Sequence, residues 1–151
     1  MSALLDVARG FLTVREDPKG SNRSPEIDEW LTALKSPLGS PWCAAFVHAC
    51  LRAAGDARQF VRSARVQTMA EGGVLHPAGE ARVGDLVVFY FANLSRYAHI
   101  GIVEKTDGVV LTTLEGNTIA DGASGDSREG WGVFRKRRKI SDRVRVLRNG
   151  T

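Results

Sequence analysis

The sequence predicts an α+β fold, with helices in its first half and an antiparallel sheet in its second. Three observations carry that expectation. Apolar residues recur at three- and four-residue steps up to about residue 70. Beyond residue 85 the apolar runs become short and rich in β-branched and aromatic residues. Finally, "EKTDGVVL" sets Asp-Gly between two such runs, the signature of a hairpin.

The elements follow in order. In "SALLDVARGFLTV" residues Leu4, Leu5, Ala8, Phe11 and Leu12 form one apolar stripe of a first helix. "SPEIDEWLTALK" opens a second, with Ser24 as N-cap, Pro25 at the first helical position and acids in the first turn. A third helix runs from about Trp42 to Ala54 and stops at Gly55, and a shorter fourth covers "RSARVQTMAE" before Gly72 and Gly73. "GDLVVFYF", "AHIGIVEK", "GWGVFRKR" and the strictly alternating "RVRVL" read as strands. With 151 residues, no internal repeat and no low-complexity linker, a single domain spanning 1–151 is expected.

Composition narrows the class. Apolar residues at 43% and charged residues at 25% are those of an ordinary globular chain. No uncharged apolar stretch approaches the length of a membrane span. The N-terminus lacks a basic region ahead of its apolar part, so no secretory signal is expected. The protein should be made in a cytoplasm, and any work outside needs another route out. Residues 134–148 hold eight Lys and Arg against one acid, Asp142, so the net charge of +4 is a local C-terminal feature. It reads as the solvated face of closing strands, with attraction to anionic polymers as the functional alternative.

Two cysteines make no disulfide framework. On one helix, Cys43 and Cys50 would lie roughly 10 Å apart, beyond the reach of about 7 Å for a bridge. Their settings differ. Cys43 opens the third helix in "SPWCAAFV", where the helix dipole and unpaired backbone N–H groups favour a thiolate and can hold an oxyanion. Cys50 lies two turns on among Phe46, Val47, Leu51 and Ala54 and reads as core. Asn22 and Ser40 are candidates for a second oxyanion donor.

A nucleophilic thiol needs a base, and three histidines are present. His48 lies about 140° round the helix from Cys43 and is expected to face solvent or cap a neighbour. His76 precedes Pro77 in a turn-like stretch. His99, at the head of the apolar run "AHIGIV", can project from a strand edge into a cleft, opposite a nucleophile on another layer. Glu115 and Asn117 in "TTLEGNT" are two residues apart, and either could accept the second imidazole N–H. Trp42, Arg96 and Tyr97 are candidate substrate contacts. Gly84-Asp85 reads as a structural turn at a strand entry. Metal-binding spacings such as C-x-x-C or H-E-x-x-H are absent, and no cofactor or metal is expected.

The ordered set "SPWCAAFV", "VGDLVVF", "AHIGIV" and "EGNT" resembles the CHAP domain, the cysteine- and histidine-dependent amidohydrolase/peptidase family. The resemblance covers about residues 20–135, leaving 136–151 as a basic closing strand or tail. It implies a papain-like fold, with the cysteine helix packed on a sheet that carries the histidine. It further implies Cys43 as nucleophile, His99 as base and Glu115 and Asn117 as its assistants. Implied with them is hydrolysis of bacterial peptidoglycan, by an N-acetylmuramoyl-L-alanine amidase or an endopeptidase. Two settings fit such an enzyme: a phage-type lysin released by a holin-type pore, or an exported antibacterial effector with an immunity protein as partner. From a different class, the chain could be a basic binding module for anionic wall polymer or nucleic acid, its cysteine site vestigial.

Overall fold

A computed structural model describes residues 2–123 and 130–149. Four helices precede most of the sheet: α1 (Ala3–Gly10), α2 (Pro25–Ala33), α3 (Cys43–Ala53) and α4 (Val66–Glu71). Six strands follow: β1 (Val74–Pro77), β2 (Leu86–Phe91), β3 (Arg96–Thr106), β4 (Val110–Thr118), β5 (Gly132–Lys139) and β6 (Val144–Arg148). They form one antiparallel sheet in the order β1-β6-β2-β3-β4-β5. This is the α+β, papain-like arrangement that the sequence led us to expect.

Local chemistry explains most boundaries. The Ser24 hydroxyl accepts from the Ile27 N–H, and Pro25 fills the first helical position of α2. The Asp107 carboxylate accepts from the N–H groups of Val109 and Val110, and Gly108 takes the positive φ that the β3–β4 turn requires. Helix α1 is shorter than its apolar stripe, because Phe11 caps it and Leu12 continues onto the core outside the helix. Strand β1 was not expected. Its sequence "VLHP" carries a proline and a histidine, which an edge strand tolerates, and it pairs only with β6. His76 therefore lies on this edge strand and not in a turn.

Helix α3 is the element that positions the site. Every residue from Cys43 to Leu51 is buried, as expected for a helix apolar on all sides. Phe46 and Trp42 pack on Trp30 of α2, with ring centroids 5.8 and 6.0 Å apart, while Phe11 reaches Trp30 at 5.0 Å. On its other flank α3 meets β4 at Gly116. An added Cβ there would lie 2.7 Å from Phe46 Cβ and 2.9 Å from Trp42 Cζ3. The glycine of "EGNT" thus lets the helix and the strand touch backbone to side chain.

The Gly84-Asp85 turn is a structural clamp. Gly84 has φ +91°, and Asp85 accepts from the Arg82 N–H (2.8 Å) and from the Arg148 guanidinium (2.9 Å). It joins the start of β2 to the end of β6.

Candidate active site

Cys43 is the first residue of α3, and Trp42 before it makes no side-chain cap. The leading N–H groups of the helix are thus left without a capping side chain, beside a thiol that is 5% exposed. Cys43 opens onto a cleft of about 250 Å³, whose lining includes Ser36, Ser40, Pro41, Arg65, Arg96 and Ala98. Arg65 and Arg96 are the charged residues along it. Cys50 is fully buried two turns further on, and burial pushes its thiol pKa far up.

His99 and Glu115 are both completely buried and meet at 2.7 Å, Nε2 to Oε1. A carboxylate can only accept, so Nε2 carries a proton, and Nδ1 is the nitrogen left to exchange a proton with Cys43. Nδ1 itself makes no hydrogen bond, while the Cys43 sulfur is near enough to act on the charge of the ring. Burial alone would lower the pKa of this imidazole. Glu115, with Cys43 adding to it, overcomes that and holds it up at about 9. The register explains how Glu115 arrives there. Ile102 pairs with Leu114, and continuing that ladder sets Gly101 opposite Glu115. A Cβ on Gly101 would sit 2.7 Å from Glu115 Cγ. The glycine in "HIG" is therefore the space through which the carboxylate leans toward His99.

Glu115 has two further partners. The Thr113 hydroxyl donates to Oε2 at 2.6 Å, and Arg138 of β5 grips both oxygens, Nε to Oε2 at 2.8 Å and Nη2 to Oε1 at 2.5 Å. The guanidinium of Arg138 lies over the Phe89 ring at 4.8 Å, and Phe89 in turn neighbours His99 at 5.7 Å between centroids. Burial would raise the Glu115 pKa, but Arg138 and His99 hold it well below the usual carboxylate range.

The remaining candidates fall in different places. Asn117 is buried close behind Glu115 in sequence, yet its φ of 55° breaks the strand alternation, and its Oδ1 has no hydrogen-bond partner. Glu115 and not Asn117 makes the contact with the ring. Trp42 is fully buried with its Nε1–H spent on Glu16 Oε2 at 2.8 Å, so it backs the site from inside and offers no surface to a substrate. Arg96 does line the cleft, whereas Tyr97 turns its ring onto Tyr90, 5.3 Å away. Asn22 donates its side-chain N–H to Gly39 O and the Ser40 hydroxyl donates to Pro37 O, so both donors are already engaged. His48 is buried, not solvent-facing, because α3 is packed on all sides; its Nε2 accepts from the Ser63 N–H.

The basic C-terminal run is also not one solvated face. Arg135 pairs with Glu104 (2.6 Å), Lys136 with Asp121 (3.1 Å), Arg138 with Glu115 and Arg148 with Asp85. Residues 150–151 at its end lie outside the described residues. Sequence reasoning missed Arg138 by reading this run as a block. Strand parity was the available signal: on β5, Lys136 and Arg138 turn inward while Arg135, Arg137 and Lys139 are exposed. Among the described residues no three His, Cys, Asp or Glu side chains gather as a metal would require, and no helix is long and apolar enough to cross a membrane.

Fold and site together define a class: an α+β domain in which a cysteine at a helix mouth faces a strand-borne histidine backed by a carboxylate. The family model for the CHAP domain matches residues 35–117, more than half the chain, and the chain belongs to that family. Members are generally cysteine- and histidine-dependent amidohydrolases of the peptidoglycan-hydrolase type. Among solved structures the chain is similar to that of Ly7917, with a TM-score of 0.52 at 16% identity. That similarity spans 98% of this chain and 62% of the other, and it bears on the fold. Among curated proteins, none matches the sequence.

Proposed function

We propose that this protein hydrolyses an amide bond of peptidoglycan through a thioester on Cys43. The observation that carries the reading is the buried His99, tied to Glu115 through Nε2 and leaving Nδ1 toward the cysteine that opens α3. In this mechanism the Cys43 sulfur, its proton held by His99 Nδ1, attacks the carbonyl carbon. The uncapped N–H groups at the start of α3 stabilise the oxyanion. His99 returns the proton to the departing amine as the C–N bond breaks. Water then attacks the thioester, His99 takes its proton, and the thiol is regenerated. Glu115 fixes the ring's tautomer and stabilises the imidazolium. Arg96 lines the cleft that receives the peptide.

Digestion of purified sacculi tests this, with new termini identified by mass spectrometry. A free muramoyl lactyl carboxylate together with an N-terminal L-alanine marks an amidase, and new termini within the stem peptide or cross-bridge mark an endopeptidase. Intact sacculi after treatment, or equal release by Cys43→Ala, would overturn the assignment. A neighbouring holin gene favours delivery as a phage-type lysin, and a neighbouring immunity gene favours an exported effector. The binding-module reading loses support from the ion pairs that occupy four cations of the basic run.

A further inference from the structure

We propose that Arg138 is a positioning residue for this reaction: by gripping both Glu115 oxygens it keeps that carboxylate ionised and aimed at His99, and so sets the charge state of the Cys43–His99 pair. The inference rests on the roles proposed above for Cys43 and His99. It concerns a residue of β5, beyond the stretch of chain that the family model matches.

The argument begins with the cost of a buried carboxylate. Glu115 has no exposed surface, and a carboxylate in that setting takes up a proton unless cations and donors compensate it. His99 offers one hydrogen bond, and its charge when protonated is matched by the Cys43 thiolate. Thr113 offers a second. The full compensating charge comes from Arg138, whose side chain is only 20% exposed and whose fork matches the two oxygens. Phe89 beneath the guanidinium fixes the plane of the fork. Had Glu115 been protonated, it could neither accept from Nε2–H in the same way nor steady an imidazolium.

Charge counting gives the direction of the effect. The groups facing the cluster are Cys43 from α3, His99 from β3, Glu115 from β4 and Arg138 from β5, with Asp121 acting on Arg138 and itself held by Lys136. With Arg138 present, the thiolate–imidazolium form of the four inner groups is neutral. Without it the same form carries a buried net charge of minus one, which proton uptake relieves. Removing the guanidinium therefore moves proton loss from the pair to higher pH, by about one unit, the lower end of what a neighbouring full charge does. Loss of packing alone would lower stability and leave that midpoint in place.

The test measures the rate of Cys43 alkylation by iodoacetamide against pH, in wild type, Arg138→Gln and Arg138→Lys, alongside sacculus turnover and thermal unfolding. Arg138→Gln should raise the alkylation midpoint by about one unit and push the acid limb of turnover the same way. Arg138→Lys, which keeps the charge without the fork, should hold the midpoint near wild type with turnover reduced. An unchanged midpoint in Arg138→Gln, even with lower stability or lower turnover at every pH, would overturn the proposal. If Arg138→Gln does not fold, Arg138→Lys decides: wild-type turnover together with a wild-type midpoint overturns the positioning role. A shifted midpoint in a protein that leaves sacculi intact would sink the hydrolase reading and leave this one standing.

Discussion

The contact between α3 and β4 makes Gly116→Ala the most informative single change outside the reacting groups. The new methyl would lie 2.7 Å from Phe46 Cβ, 2.9 Å from Phe46 Cγ and 2.9 Å from Trp42 Cζ3. Carbon atoms rest at about 3.5 Å or more, so roughly 0.8 Å has to be found. Neither neighbour has somewhere to go. Trp42 is tethered to Glu16 and stacked near Trp30, while Phe46 is enclosed by Phe11 and Trp30. Relief comes by lifting α3 off the sheet, which separates Cys43 from His99. Overpacking of this kind costs about 1–3 kcal/mol, a fall in Tm of roughly 2–12 °C for a chain of this size. A displacement near 1 Å between nucleophile and base lowers turnover on the order of 100-fold. Calorimetry reads the first effect, and sacculus turnover at a temperature where the variant is folded reads the second. Gly10→Ala, at the end of α1 with nothing within 4 Å of the added carbon, is the control and should leave both unchanged or slightly raise Tm. Wild-type turnover in folded Gly116→Ala would refute the claim that this close approach sets the cysteine–histidine geometry.

Three further predictions come from the titrating and buried groups. Cys43, at the cleft, should be alkylated much faster than Cys50, which is buried with its thiol pKa pushed up; equal rates by peptide mass mapping would count against an activated Cys43. Burial, with Arg62 adding to it, holds His48 down at about 4 against an ordinary 6.5. The neutral ring therefore stabilises the fold above pH 6.5, and that contribution, up to roughly 3 kcal/mol, is lost as pH falls from 6.5 toward 4. Urea midpoints across that window should slope in wild type and flatten in His48→Gln; an equal slope in both refutes it. Glu104, buried between Arg135 and Arg9, is held down at about 2, chiefly by the Arg135 hydrogen bonds. Its contribution is complete above pH 4.5 and lost from 4.5 toward 2. Glu104→Gln should cost about 1–3 kcal/mol at neutral pH, as judged by urea unfolding, and leave Cys43 alkylation unchanged.

What the sequence made legible was decided by the range of the interactions concerned. Ser24 capping α2, Asp107-Gly108 turning β3 into β4 and Cys43 opening α3 are local matters, fixed by residues within three or four positions. Each could be read from the chain. The strand carrying His99 was legible too, because its apolar run is long and a polar residue at its head stands out. Less accessible was anything that depends on register. Glu115 and Asn117 look equivalent at a spacing of two, and only the left-handed turn at Asn117 separates them. His48, expected to face solvent or cap a neighbour, is buried with its ring accepting from the Ser63 N–H, because α3 is enclosed on every side.

Arg138 shows the same limit from the other direction. In the sequence it is one of five successive cations, and charge density makes the whole run look like a surface. The sheet divides that run by parity, because β5 pairs with β4 so that Arg138 lies opposite Leu111 and Lys136 opposite Thr113. Thr113 and Glu115, neighbours on one face of β4, then converge with Arg138, which lies 23 residues from Glu115 along the chain. A cation in such a run is thus assigned by asking which acid its strand neighbours bury. Here the buried acid is Glu115, which also holds His99, so the charge that stabilises the sheet and the charge that orients the imidazole are one and the same. Arg138 is thus better understood as part of that buried cluster than as one cation of a basic surface.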